Sequence, residues 1–391
     1  MKKIIATAII SLMIQTINAQ SQSFDAVVSQ MLVYNPAIKE LNHGAEAEIQ
    51  EMKAENILEG PELEGFHKWG NSGDRKYGAG ISQGFDWPGL YSARRQMIRN
   101  NESALGLLRN ATITDKKVEA RSLLIDLVNS KRNISILERI DTMMIDLAKF
   151  YDAAYRSGQV SILDKNKIDI EIIRLGGRLT EENNRYGDIL ASIYDFCGSD
   201  QIESELNHLN NYPDAMLLSA EDYKKLAEES DPYMAYLKQI AEVNKSRGKV
   251  ESRSALPSFS LGYEWEREEG QDFNGFNIGI KFASWSNKNR RAAVVASVLE
   301  NDVKISAQSK KLMTDIDNDH STALDLIKQI NKFENALNGN HHELLLKALK
   351  GGQINMLDYI QEVNFYLEAE LDLENMRHQY QLALSRLNRL N

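Results

Sequence analysis

The chain has 391 residues and a formal net charge of −10, which becomes −12 once Lys2 and Lys3 leave with an N-terminal leader. That acidity disfavours nucleic acid as a partner, and the single cysteine, Cys197, excludes an intramolecular disulfide. With a mean hydropathy of −0.43, no stretch beyond the leader approaches the roughly 20 apolar residues of a membrane-spanning helix.

Residues 1–19 read as a signal peptide. Lys2-Lys3 form a basic start, Ile4 to Ile14 an apolar run, and Ile17-Asn18-Ala19 a small-residue cleavage site. No cysteine follows that site, so the expected signal is an ordinary secretory one without a lipid anchor. An opening helix is predicted over 23–58, with Asn35-Pro36 as a kink or restart. Residues 61–87 hold two strands around the turn signal Asn71-Ser72-Gly73-Asp74. From 89 to 156 there is no proline, and apolar residues recur at helical spacing: Leu124, Leu127, Ile134, Leu137, Met144, Leu147, Tyr151 and Ala154. A helix of that length would extend roughly 100 Å, so the expected molecule is elongated. Ser157-Gly158-Gln159 ends it, and Ser161 or Asp164 opens a helix to about 196.

The same order then recurs. After a linker at 198–218 come a helix over 219–253, strands over 257–266 and 273–283, a helix over 286–348, the turn Gly351-Gly352-Gln353 and a helix over 356–390. Asn35-Pro36 and Asp231-Pro232, Pro61 and Pro257, and Arg94-Arg95 and Arg290-Arg291 all stand 196 residues apart. SGQVSILD at 157–164 returns as GGQINMLD at 351–358. The chain therefore reads as a tandem duplication, with repeats over 20–197 and 219–391.

The strands alternate strictly. Tyr77, Ile81 and Phe85 share one face of the second strand; Phe259, Leu261, Tyr263 and Trp265 share one face of the third; Phe276, Ile278, Ile280 and Phe282 share one face of the fourth. The opposite faces are glycine-rich and polar, each strand is about ten residues long, and all four tryptophans lie in or beside these segments. That is the pattern of strands crossing a bilayer, with the apolar positions facing lipid. Two hairpins of one soluble sheet packed on helices are the competing reading. Four strands cannot close a useful barrel and lipid tolerates no open edge, so the membrane reading demands an oligomer.

With these residues in view, the chain resembles the TolC family of outer-membrane efflux proteins over its mature length. Asn35-Pro36 with Pro61, Asp231-Pro232 with Pro257, SQGFDWPGLYSARR at 82–95 and the two turn motifs carry the resemblance. It implies an α+β membrane protein: a homotrimer sharing a twelve-stranded outer-membrane barrel, with long antiparallel coiled-coil hairpins forming a periplasmic tunnel. Such proteins are exit ducts of tripartite pumps, partnered by a periplasmic adaptor and an inner-membrane pump that exports small molecules or metal ions. Type I secretion is an alternative duty, and a non-channel periplasmic scaffold is the alternative class. Pro88-Gly89 with Ser92-Ala93-Arg94-Arg95 is most similar to the heavy-metal efflux subgroup, although Leu90-Tyr91 and Trp285-Ser286-Asn287 depart from its pattern.

The resemblance also implies that Gly158, Gln159, Ser161 and Leu163, with Gly351, Gly352, Gln353 and Leu357, form tips that dock the adaptor. Asp358, with Asp164 at the matching position, would then give an acidic ring at the aperture; the other reading is that both are helix N-terminal residues favoured by the dipole. His341-His342 and His320 lack the spacing of a metal site. No Gly-rich phosphate loop, Ser-His-Asp order or HExxH string appears, and neither an enzyme nor a cofactor is expected.

Overall fold

Asparagine or aspartate followed by proline is a strong instruction to restart a helix, and it operates in both repeats. In a computed structural model, which describes residues 24–390 apart from 72, 74, 283–286, 338 and 340, helix α1 (24–34) stops at Asn35 and α2 (Pro36–Ala54) begins at once. The Asn35 side chain accepts from the Ile38 N–H at 3.1 Å and donates to the Phe196 carbonyl at 2.8 Å. Asp231 does the same for its own helix, accepting from the Met234 N–H at 2.8 Å. Proline at the next position lacks an N–H that would have no partner there in any case. The expected leader at 1–19, and Trp285 and Ser286, lie outside the described residues.

Strands β1 (Glu62–Trp69) and β2 (Arg75–Phe85) follow, then α3 (Pro88–Arg156), α4 (Ile162–Cys197), α5 (Glu203–His208), α6 (Ala220–Ser230) and α7 (Pro232–Arg253). Strands β3 (Ser258–Glu268) and β4 (Gln271–Lys281) lead to α8 (Asn287–Ala336), α9 (His341–Lys350) and α10 (Met356–Leu387). The fold is thus four strands set among long helices, α3 alone running for 69 residues. Contacts divide the chain into a strand-bearing unit, Lys39–Thr112 with Ser230–Lys311, and a helical unit formed by the rest.

The strand-bearing unit holds one antiparallel sheet in the order β1-β2-β3-β4. The join between repeats is β2 on β3, from Lys76 opposite Glu268 to Phe85 opposite Phe259. Two glycines let the sheet form. A Cβ on Gly78 would lie 2.5 Å from the Trp265 carbonyl and 2.9 Å from the Phe66 ring; one on Gly262 would lie 2.1 Å from Asn277 Oδ1. Side chains from the neighbouring strands cross the space these residues leave empty.

The helical unit has two apolar cores. In one, Phe24 and Met31 of α1 meet Leu124 and Leu127 of α3 and Ile193 and Phe196 of α4. In the other, Leu137, Ile140 and Met144 of α3 meet Ile168 of α4 and Tyr359, Val363 and Leu367 of α10. The seam expected on α3 is this buried stripe: Leu124, Leu127, Leu137, Met144, Leu147 and Ala154 are buried, with Ile134 and Tyr151 half-buried. Cys197 closes α4 at 2 % exposure, and burial pushes its thiol up to about 11.

Two expectations need correction. The single helix predicted over 286–348 is two, because Leu337 ends α8 with its N–H on the Phe333 carbonyl at 2.8 Å and Gly339 adopts a φ of +154° before α9 starts. Asn338-Gly339 is a turn dipeptide, and the matching stretch of the first repeat, Met143 to Asp146, has no counterpart to it. Beyond the break α9 is tied down: His341 stacks on Tyr366 with ring centroids 4.4 Å apart, and His342 Nε2 lies 3.2 Å from Glu370. Burial pushes the Glu370 carboxyl up, but the His342 hydrogen bond and the Arg139 guanidinium outweigh it and hold it below the usual range.

The second correction concerns the linker at 198–218, which contains α5. Lys131 reaches from α3 to the end of that helix, its Nζ 2.7 Å from the Leu206 carbonyl and 3.0 Å from that of Leu209. The last carbonyls of a helix have no partner within it, and here one ammonium serves several. Lys131→Met should therefore destabilise the protein by about 1–3 kcal/mol and expose the linker, seen as a lower melting temperature and faster proteolysis near residue 207.

Candidate functional site

Residues opposite one another in a sheet share a face, so the register decides which side chains act together. Ile81 stands opposite Tyr263, Phe85 opposite Phe259, and Tyr77 opposite Arg267. Phe259 stands opposite Ile280, Leu261 opposite Ile278, Tyr263 opposite Phe276, and Trp265 opposite Asn274. Ten of the eleven apolar positions singled out in the sequence lie within the strands, on one face; Phe282 directly follows β4 and continues its alternation. Leu63 and His67, which alternate onto one face of β1, stand opposite Ile81 and Tyr77 and so lie on the same side.

This face is uncovered. Phe276 is 82 % exposed, Ile278 76 % and Leu63 78 %. Aromatic contacts run along it, Tyr77 on Trp265 at 6.0 Å and Tyr263 on Phe276 at 5.6 Å. The reverse face pairs charge with glycine: Glu64 opposite Gly80, Gly80 opposite Glu264, and Gly78 opposite Glu266. Lys76 bridges Glu266 and Glu268 there.

The second set of expected residues lies in the helical unit, where α3 and α9 end alike. Gly158 and Gly352 take φ of +74° and +66°. The Gly158 N–H donates to the Tyr155 carbonyl and the Gln159 N–H to that of Ala154, both at 2.9 Å. In the second repeat Gly352 donates to Leu349 at 3.1 Å and Gln353 to Ala348 at 2.9 Å, while Gly351 donates to Lys347 at 2.9 Å. This double closure of a helix end requires left-handed backbone, which glycine supplies without strain.

The helices that follow also start alike. Ser161 Oγ accepts from the Asp164 N–H at 3.1 Å and its hydroxyl donates to the Asp164 carboxylate at 2.7 Å. Asn355 Oδ1 accepts from the Asp358 N–H at 3.0 Å, and the Asp358 carboxylate accepts from the Asn355 N–H at 3.5 Å, a reciprocal cap. Asp164 and Asp358 are therefore capping residues in the folded chain. Asn355 was missed in the sequence, although its place three residues before an aspartate mirrors Ser161. Leu163 and Leu357 stand out from these turns, 67 % and 47 % exposed.

The arrangement, a four-stranded antiparallel sheet contributed equally by two repeats with long helical hairpins, is the fold of the TolC-type outer-membrane efflux channels. The chain is similar to a membrane protein from Pseudomonas aeruginosa, at 13 % identity and a TM-score of 0.75 over 94 % of this chain and 89 % of that one. It is similar to CusC, a protein that forms a transmembrane channel, at 12 % identity and a TM-score of 0.72 over 95 % and 92 % of the two chains. The open-state MtrE outer-membrane channel of Neisseria gonorrhoeae gives 12 % identity and a TM-score of 0.72 over 94 % and 88 %. Each of these neighbours is a membrane or channel protein. No family model matches the sequence, and no curated protein matches it.

The Ser161 hydroxyl, with Lys167 behind it, draws the Asp164 carboxyl below its ordinary range. A depressed carboxyl contributes stability above its unfolded value and loses it as pH falls through the folded one. Protection of the amides in the 157–164 turn, taken against the unstructured exchange rate at each pH, should fall on acidification through that interval. Asp164→Asn should show low protection with no such pH step.

Proposed function

We propose that the chain is the outer-membrane exit duct of a tripartite efflux system, passing small molecules or metal ions out of the periplasm. The observation that carries this reading is the uncovered apolar sheet face, four strands wide, on a chain whose fold is that of channel proteins. Among the described residues no helix is long and apolar enough to cross a membrane. The sheet is then the part that meets lipid, with Tyr77, Ile81, Phe85, Phe259, Leu261, Tyr263, Trp265, Phe276, Ile278, Ile280 and Phe282 outward. Strands β1 and β4 are its two edges, and an open edge in hydrocarbon leaves backbone groups unsatisfied at several kcal/mol each. Three copies contributing four strands apiece close a twelve-stranded barrel. A periplasmic scaffold without a channel has no use for such a face.

In this reading the two glycine-closed turns are the periplasmic tips. Exposed Leu163 and Leu357, with Gln159 and Gln353, meet the adaptor, which in turn engages an inner-membrane pump. Asp358 adds to its cap a second role, an acidic ring formed by three copies around the aperture, favouring cations.

A charged side chain on the lipid face costs about 2–4 kcal/mol at mid-bilayer. Wild-type protein in detergent should give a mass of three chains, and Ile278→Arg should abolish both the trimer and its recovery in outer membranes. Ser82→Arg, placed opposite Glu62 and Gly262 on the other face, should assemble normally. Equal tolerance of the two arginines, or a stable wild-type monomer, would overturn the barrel. Asp358→Asn should lower cation selectivity in single-channel recordings, and unchanged selectivity would leave Asp358 only its cap.

A further inference from the structure

Where β2 gives way to α3, the strand-bearing unit contains an open cleft of about 830 Å³. Its lining is mainly apolar and aromatic, with Leu58, Phe85, Trp87, Pro88 and Phe259. Phe85 and Phe259 are direct partners across β2 and β3, and the rings of Trp87 and Phe259 lie 5.9 Å apart. The cleft is therefore continuous with the apolar face of the sheet.

Its polar residues do not cancel. Arg94 lies 2.9 Å from the Asp86 carboxylate and neutralises it. Tyr91 Oη accepts from the Asp86 N–H at 3.0 Å, which leaves the phenol proton to donate elsewhere. Arg253 spends its guanidinium on the Gly89 carbonyl and the Ser92 hydroxyl, at 2.6 and 2.9 Å. Arg95 lines the cleft and is exposed, and its guanidinium makes no hydrogen bond or ion pair with any described residue. Asn56 Oδ1, sheltered in the same lining, also has no hydrogen-bond partner among them.

We propose that this cleft seats a phospholipid, with acyl chains along Leu58, Phe85 and Phe259 and the headgroup phosphate on the Arg95 guanidinium. A guanidinium fork matches two phosphate oxygens, and the Tyr91 hydroxyl supplies a further donor. A tryptophan, a tyrosine and an arginine at the end of an apolar sheet face are the residues that sit at headgroup depth. A free phosphate would gain nothing from the apolar lining. The inference rests on the barrel reading, because only then do Phe85 and Phe259 face lipid.

The test is native mass spectrometry of the full-length, delipidated protein titrated with phosphatidylglycerol or with the phosphate-free diacylglycerol of the same chains. Phosphatidylglycerol should bind the wild type, about tenfold more weakly Arg95→Gln, and with intermediate strength Arg95→Lys. Arg99→Gln, one turn further along α3, should bind as the wild type does. Undiminished binding by Arg95→Gln, or equal retention of diacylglycerol, would overturn the site. So would a photocrosslinker at Leu58 that captures a second copy of the chain rather than lipid. Wild-type protein that assembles and inserts yet holds no lipid would sink the cleft alone; wild-type protein that does neither would sink the barrel reading, and this inference with it.

Discussion

Everything in the strand-bearing unit depends on the pairing of β2 with β3. Those strands come from different repeats, separated by more than 170 residues of chain, and their ladder makes one sheet out of two hairpins. A slip of one residue would turn every side chain to the other face. Glycines at 78 and 262 work against such a slip. Their missing side chains make room for Phe66 and Asn277, and a shifted register would bring a Cβ into that space. Folding of the sheet must therefore wait for a long-range contact, which carries a loop-closure cost that local hairpins avoid.

Much of this was legible in the sequence because the signals were local and repeated. Alternation with period two identified the strand faces, since Ile81, Tyr263 and Phe276 needed only correct spacing to share a side. The Asn35-Pro36 and Asp231-Pro232 landmarks proved to be the same physical device, a cap followed by a proline, and duplication made both visible. What was missed had weaker signatures. Asn338-Gly339 was overlooked because the flanking residues keep their helical periodicity. The six-residue α5 is too short to show a period at all, and it is fixed by Lys131, a residue more than 70 positions away.

The two repeats agree most closely at their helix turns and least in the helices leading to them. Both turns use a glycine in the left-handed region and both following helices begin with a side-chain cap, yet α3 is unbroken where its counterpart is split into α8 and α9. Within a symmetric oligomer such a difference would give alternate hairpins different stiffness around the ring. The bonds holding α9, His342 to Glu370 and the ring of His341 on Tyr366, are anchors that the first repeat does not require.

Cys197 has a practical consequence. A thiol raised to about 11 and sealed at 2 % exposure holds almost no thiolate at neutral pH, so maleimides and other alkylating reagents should pass it by. The natural sequence is then already a silent background for chemical labelling. A spin label or fluorophore placed on a surface cysteine at either helix turn could be attached to the native chain, and the motion of that turn followed, with no prior cysteine removal to disturb the core.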